Sequence, residues 1–393
     1  MWEALLAGVS GAGPITRFDS KDFKCKIACE LKSFNSLDYF DRKEASRIDL
    51  YTQYGIVATE EALRDAGLQP EPAELDRIGV VWGSGMGGIV TLQHECTDYA
   101  KAGFAPKFSP FLVPKAIADI CAGLISIRHG FRGPNFATVA ACASSAVALS
   151  EAADLIRLGR ADVMVAGGSE AAITECGIGG FSSMQALSLR NDDPKTASRP
   201  FDKDRDGFVL AEGAGAMVLE ELEHAKARGA KIYAELTGAG LTADAYHITA
   251  SHPDGLGAQN AMLMAVEESG MRLEDVDHIN THGTSTPIGD KSEPKAVKAL
   301  FGDHAEQISL NATKSMTGHL LGAAGCVESI ATVLAIVHGV VPPTINHFTD
   351  DPDIVPLDYT FNQAKTRNVD FALCNAFGFG GHNVCLAFRK YNG

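Results

Sequence analysis

The chain has 393 residues, 46% apolar and 21% charged, an ordinary globular composition at a length that suggests two closely packed halves. Its formal charge of −15 excludes a general nucleic-acid binder, which needs a net basic footprint. No run of about 18 apolar residues offers a membrane span, and Met1 to Leu6 lacks the basic start and apolar stretch of a secretory leader, so a cytoplasmic protein is expected.

Taken in chain order, Ile78 to Trp82 predicts a buried strand ended by the turn Gly83-Ser84-Gly85-Met86-Gly87-Gly88. Thr138 to Ala141 predicts a second strand running into Cys142, then a small-residue helix from Ser144 to Leu158. Val163 to Ala166 reads as a strand closed by Gly167-Gly168, and Gly207 to Glu221 as a core strand before a helix from Leu222 to Arg228. The rhythm repeats with a strand at Lys231 to Leu236, a helix at Gly257 to Ser269 and a strand at His278 to Asn280. A helix near Lys291 to Leu300, a strand at Ile308 to Asn311 and a helix from Gly322 to His338 come next. Strands at Phe371 to Cys374 and Val384 to Phe388 flank Gly378-Phe379-Gly380-Gly381. Alternating strands and helices predict an α/β protein with two mostly parallel sheets and no linker between them. No internal repeat is clear.

Nine cysteines are scattered, and only Cys25 and Cys29 lie close together, so no metal site is expected. Cys142 stands where a strand meets a helix, among small residues. A helix N terminus favours the thiolate, which makes Cys142 either a nucleophile or simply a small core residue at a strand end. His282 and His319 each sit on a polar, glycine-bearing loop at a strand exit, where α/β active sites collect. Two imidazole N–H groups could hold the enolate left by decarboxylation of a malonyl thioester, provided both rings are neutral. Lys314 reads as a cation tuning these groups. Glu328 reads either as its partner or as a solvent-facing helix residue.

Together these segments resemble the β-ketoacyl-[acyl-carrier-protein] synthases, the elongating type II bacterial enzymes above all. The resemblance spans the whole chain. It rests on the Cys142 turn, Ser198-Arg199-Pro200-Phe201-Asp202 with Arg205-Asp206-Gly207-Phe208, and Asn280-Thr281-His282-Gly283-Thr284-Ser285-Thr286-Pro287. It rests equally on Thr313-Lys314-Ser315-Met316-Thr317-Gly318-His319 and Asn375-Ala376-Phe377-Gly378-Phe379-Gly380-Gly381.

The resemblance implies a thiolase-like αβαβα fold with similar halves at residues 1–229 and 230–393, and a homodimer working in fatty-acid elongation. It implies Cys142 as the acylated nucleophile, His282 and His319 as the decarboxylation pair, and the N–H groups of Cys142 and Phe379 as an oxyanion hole. Lys314, Glu328 and Asp290 would support that network. Thr284 and Thr286 would contact the pantetheine arm, Met86, Phe181 and Phe377 would line the substrate pocket, and the Phe379 loop would be a gate. No cofactor is implied, because substrates arrive on the phosphopantetheine arm of acyl carrier protein. Arg42, Lys43, Arg47 and Lys107 would meet that carrier, or are ordinary surface charge.

The family usually opens with an apolar strand ahead of the helix that here covers Glu3 to Gly8, so one sheet is expected to lack a central strand. His382 stands where many relatives carry threonine. Among rivals, initiating synthases pair cysteine with His and Asn, against Thr317-Gly318-His319. Thiolases use a second cysteine, which neither histidine loop carries. A polyketide ketosynthase shares the core chemistry and stays open, whereas a non-catalytic chain-length partner would lack Cys142.

Overall fold

The structure is a computed structural model and describes residues 1–393. Ile78–Gly83 is an apolar run with every residue buried, and it lies parallel between Asn135–Thr138 and Val163–Glu170. Gly213–Glu220 closes this four-stranded sheet antiparallel to Val163–Glu170. The second sheet has five strands in the order Ala234–Ala243, His382–Lys390, Phe371–Gly378, His278–Asn280 and Ser309–Asn311. Its last three strands are parallel, while His382–Lys390 runs antiparallel to both neighbours. Each sheet is therefore mostly parallel with one strand reversed, Gly213–Glu220 in the first and His382–Lys390 in the second.

Two apolar helices, Ser144–Arg157 and Ala324–His338, lie between the sheets. One core cluster joins Leu149 and Leu155 of the first helix to Val333 and Ile336 of the second, and to Met164 and Leu386 from the two sheets. Leu50–Ala66 and Ile120–His129 cover the outer face of the first sheet, and Leu256–Ser269 with Gly289–Phe301 cover the second. The result is five layers, helix, sheet, helix, sheet, helix. The segment 321–338 is apolar and long enough to cross a membrane, but most of it is buried in this central layer.

The two halves repeat a local device that the sequence hides. Ala141 at φ +48° opens a one-turn 3-10 helix, Ala141–Ala143, before the helix at Ser144. Leu321 at φ +49° opens the equivalent turn, Leu321–Ala323, before the helix at Ala324. The helices touch near these starts: a Cβ on Gly325 would come within 2.8 Å of Ala146 Cβ, and the Cys326 N–H donates to Ser145 Oγ at 2.9 Å.

Several expected boundaries move. The second strand ends at Thr138, four residues short of the cysteine, because the chain must turn through the strained Ala141. Gly167 and Gly168 do not close a strand but lie inside Val163–Glu170. A Cβ on Gly168 would come within 2.6 Å of Ser145 Cβ, so these glycines mark close packing, not a turn. The strand expected from Gly207 begins only at Gly213. It pairs on one side alone, whereas its counterpart His382–Lys390 has Ala234–Ala243 beyond it. The strand by which the first sheet falls short of the second is thus an edge strand, not a central one.

Replacing Gly325 by Val forces side-chain atoms into Ala146 and is expected to cost about 1–3 kcal/mol of stability, read as a lowered Tm in a thermal melt.

Candidate active site

Cys142 sits in the 3-10 turn and is only 7% exposed. Ser144 Oγ accepts from the Ala140 N–H at 2.9 Å and donates to Ala141 O at 2.7 Å, which ties the turn shut around the thiol. Gly378 presses on the turn from the other half. A Cβ there would lie 2.6 Å from Ala140 O and 3.2 Å from Cys142 N, so only glycine lets the two backbones meet. Burial pushes the thiol up to about 12, with the Lys314 ammonium and the Phe379 N–H pulling the other way. The helix start alone therefore does not maintain a standing thiolate, contrary to the expectation from strand-to-helix context.

His282 is held at both ends of its loop. The His282 and Gly283 N–H groups donate to the Glu293 carboxylate at 2.9 and 3.0 Å, and Asn375 Nδ2 donates to the same group at 3.0 Å. The Phe377 N–H donates to His282 Nδ1 at 3.2 Å, so the neutral ring carries its proton on Nε2. His319 is 2% exposed, and its backbone is clamped by Val209 O and the Ala211 N–H at 2.8 and 3.0 Å. The two imidazoles meet edge to face with centroids 5.5 Å apart. Desolvation first, then the Lys314 charge, hold both rings well below the ordinary imidazole range. Both are neutral at physiological pH.

Lys314 is 1% exposed and pairs with Glu328, whose side chain is 2% exposed, so Glu328 is the partner and not a solvent-facing residue. Burial pushes Glu328 up to about 7, with Lys314 pulling against it. Removing one member of such a pair typically costs about 3–5 kcal/mol, because the other is left buried alone.

The remaining expected residues fall in three places. Met86 and Phe181 pack on the core cluster that contains Cys142, and Phe181 lies 6.4 Å from the Phe379 ring. Phe377 stacks obliquely on His282 at 5.5 Å. Thr284 and Thr286 bring their hydroxyls within 3.0 Å of each other, and one cavity is lined by Thr284, His282 and Phe377 together. Asp290 lies a step back, accepting from the Ser285 and Phe201 N–H groups at 3.1 and 2.9 Å. Arg42, Lys43, Arg47 and Lys107 are exposed. His382 is exposed at the first residue after the Phe379-Gly380-Gly381 hairpin tip, its ring beside Gly380.

Two carboxylates escaped sequence reasoning. Glu293 stands one helical turn after Asp290, an i,i+3 pair on one helix face that periodicity could have flagged. Glu170 ends a buried strand and accepts from Ser84 Oγ at 2.5 Å and from the Gly85 and Met86 N–H groups at 3.1 and 3.0 Å. It pins the loop that carries Met86.

A family model described as "Beta-ketoacyl synthase, N-terminal domain" matches residues 1–225, and one described as "Beta-ketoacyl synthase, C-terminal domain" matches residues 233–348. The chain belongs to the beta-ketoacyl synthase family. A ketosynthase of Synechocystis sp., named "3-oxoacyl-[acyl-carrier-protein] synthase 2", is 50% identical over 99% of this chain and 93% of its own length. The protein of that name from Staphylococcus aureus is 48% identical over 99% of this chain and 94% of its own. Among solved ketosynthases, a beta-ketoacyl synthase from Burkholderia phymatum superposes with a TM-score of 0.92 at 32% identity, covering 99% of this chain and 94% of that one. A type II PKS ketosynthase in complex with its acyl-carrier protein gives 0.89 at 33% identity, covering 100% and 94%. The five layers are thus the thiolase-like ketosynthase fold.

Lys314→Met removes the cation that depresses both imidazoles. In an NMR titration of the histidines, His282 and His319 of the parent ketosynthase should stay neutral on acidification past about pH 6, and both should protonate at higher pH in the variant.

Proposed function

We propose that this ketosynthase elongates acyl chains by decarboxylative Claisen condensation on acyl carrier protein. The observation that carries the reading is the neutral histidine pair, with Nδ1 of His282 occupied by the Phe377 N–H and its Nε2 proton free to donate. In the first step Cys142 Sγ attacks the carrier-bound acyl thioester. The carrier thiolate leaves and takes up the cysteine proton. The N–H of Phe379 beside the sulfur supports a role for it, with the Cys142 N–H, in stabilising the tetrahedral oxyanion. In the second step the malonyl thioester loses CO2, and the electron pair of the broken C–C bond moves onto the thioester oxygen, held by imidazole N–H donors. The resulting enolate carbon then attacks the Cys142 thioester, and the C–S bond breaks to release the Cys142 thiolate, which takes up a proton from solvent to return the thiol.

Neutral rings suit this work, because each must donate a hydrogen bond without first giving up a full proton. Every electron pair is accounted for by cysteine, the two histidines and CO2, so the reaction as read calls for no resident cofactor. A polyketide role is the second reading, since a ketosynthase/chain length factor for ishigamide matches at 34% identity. The higher identity to 3-oxoacyl-[acyl-carrier-protein] synthases favours fatty-acid elongation.

The reading includes a cytoplasmic homodimer. All nine cysteines are free, as in a reducing compartment. Asn135–Thr138 is a sheet edge with Phe136 37% exposed beside exposed Val139 and Ile127, an apolar edge of the kind covered by strand pairing between copies. Arg42, Lys43, Arg47 and Lys107 offer basic contacts to an acidic carrier on an otherwise acidic protein.

Cys142→Ala should abolish acylation when the protein is incubated with acyl- and malonyl-carrier substrates and products are followed by mass. His282→Ala and His319→Ala should still acylate but lose decarboxylation by at least about 100-fold. Formation of 3-oxoacyl product by Cys142→Ala would overturn the mechanism. Phe136→Asp should shift the species seen in sedimentation from dimer toward monomer.

A further inference from the structure

The motif Ser198 to Phe208 contributes no atom to the chemistry above, yet it makes a dense set of contacts with the loop that carries Thr284 and Thr286. Ser285, between the two threonines, is held at φ +71°, a conformation that side-chain-bearing residues adopt only under constraint. Its hydroxyl accepts from the Arg199 N–H at 3.0 Å and its carbonyl from the Gly207 N–H at 3.0 Å. Asp290 takes its N–H at 3.1 Å. The strain is therefore compensated by bonds that mostly come from the motif.

Arg205 completes the brace. Its side chain is 2% exposed, and every direction of its guanidinium is used. Nε donates to Thr286 O at 3.0 Å and Nη2 to Pro287 O at 2.9 Å, while Nη1 donates to Asp202 O at 2.8 Å and to Asp351 Oδ2 at 2.7 Å. Asp290 Oδ2 lies 3.7 Å from Nε. A planar fork can reach two successive carbonyls and a carboxylate at once; an ammonium on the same stem cannot.

We propose that Arg205 is a positioning residue for the pantetheine arm, fixing the Thr286–Pro287 backbone so that the Thr286 hydroxyl is held beside that of Thr284. This rests on the reading that the two threonines bind the arm. They stand 3.0 Å apart, and Thr284 lines the cavity it shares with His282. Arg205 touches neither substrate nor reacting atoms, so its loss should appear in arm binding and not in the chemistry.

The test compares two acyl donors: hexanoyl-pantetheine, which has the arm, and the thiophenyl ester of hexanoic acid, which lacks it. In Arg205→Lys, KM for hexanoyl-pantetheine should rise by about tenfold or more with kcat within about twofold, and acylation by the thiophenyl ester should be unchanged. An unchanged KM for hexanoyl-pantetheine, or an equal loss with both donors, would overturn the proposal. Thr284→Val with Thr286→Val serves as the control. If that double variant leaves KM unchanged, the arm-binding reading falls and the role of Arg205 with it. If it raises KM while Arg205→Lys does not, only the role of Arg205 falls. Should Arg205→Lys melt below the assay temperature, Asp351→Asn, which weakens one anchor of the guanidinium, is read in its place with the same outcomes.

Discussion

Gly325 and Ala146 let two helix starts approach more closely than any larger side chain would allow. That contact sets the geometry of the centre of the molecule. Each helix is preceded by a 3-10 turn opened by a residue in the left-handed region, and those turns carry Cys142 on one side and follow His319 on the other. Because the helices lie back to back between two sheets, the strand exits of both halves open toward one place. Gly378 repeats the constraint from the second sheet, bringing the Phe379 N–H to the sulfur. A ketosynthase site assembled from residues nearly 240 positions apart thus depends on a few positions that exclude a Cβ.

Within that frame the electrostatics follow from burial. One ammonium, Lys314, pairs with Glu328 and depresses two imidazoles and the Cys142 thiol together. The consequences differ by group. For the histidines, desolvation and the cation act in the same direction and keep the rings neutral. For Cys142 they oppose, and desolvation wins, so the thiol is protonated at rest and loses its proton as the acyl group transfers. A stored thiol is also protected from oxidation, since the thiolate is the reactive form.

The backbone around His282 and the arm-facing threonines is organised by acids on one helix. Asp290 and Glu293 lie one turn apart on Gly289–Phe301, and each takes two backbone N–H groups of the loops packed against it. Charge-assisted bonds of this kind fix loop positions better than neutral ones, which explains why loops without secondary structure can present side chains in register.

The sequence by itself determined the alternation of strands and helices and the candidacy of Cys142, His282, Lys314 and His319, because these depend on local composition and long contiguous motifs. Boundaries went astray where glycine had two meanings. Gly167-Gly168 looks like a turn but lies within a strand, since its function is contact with Ser145 and Gly215, residues distant in sequence. Tertiary structure alone decided that Glu328 faces Lys314 instead of solvent, that burial outweighs the helix start at Cys142, and that the Phe377 N–H selects the His282 tautomer. Each of these is set by what packs against a group from elsewhere in the chain, and neither desolvation nor hydrogen-bond direction is written in the residues beside it.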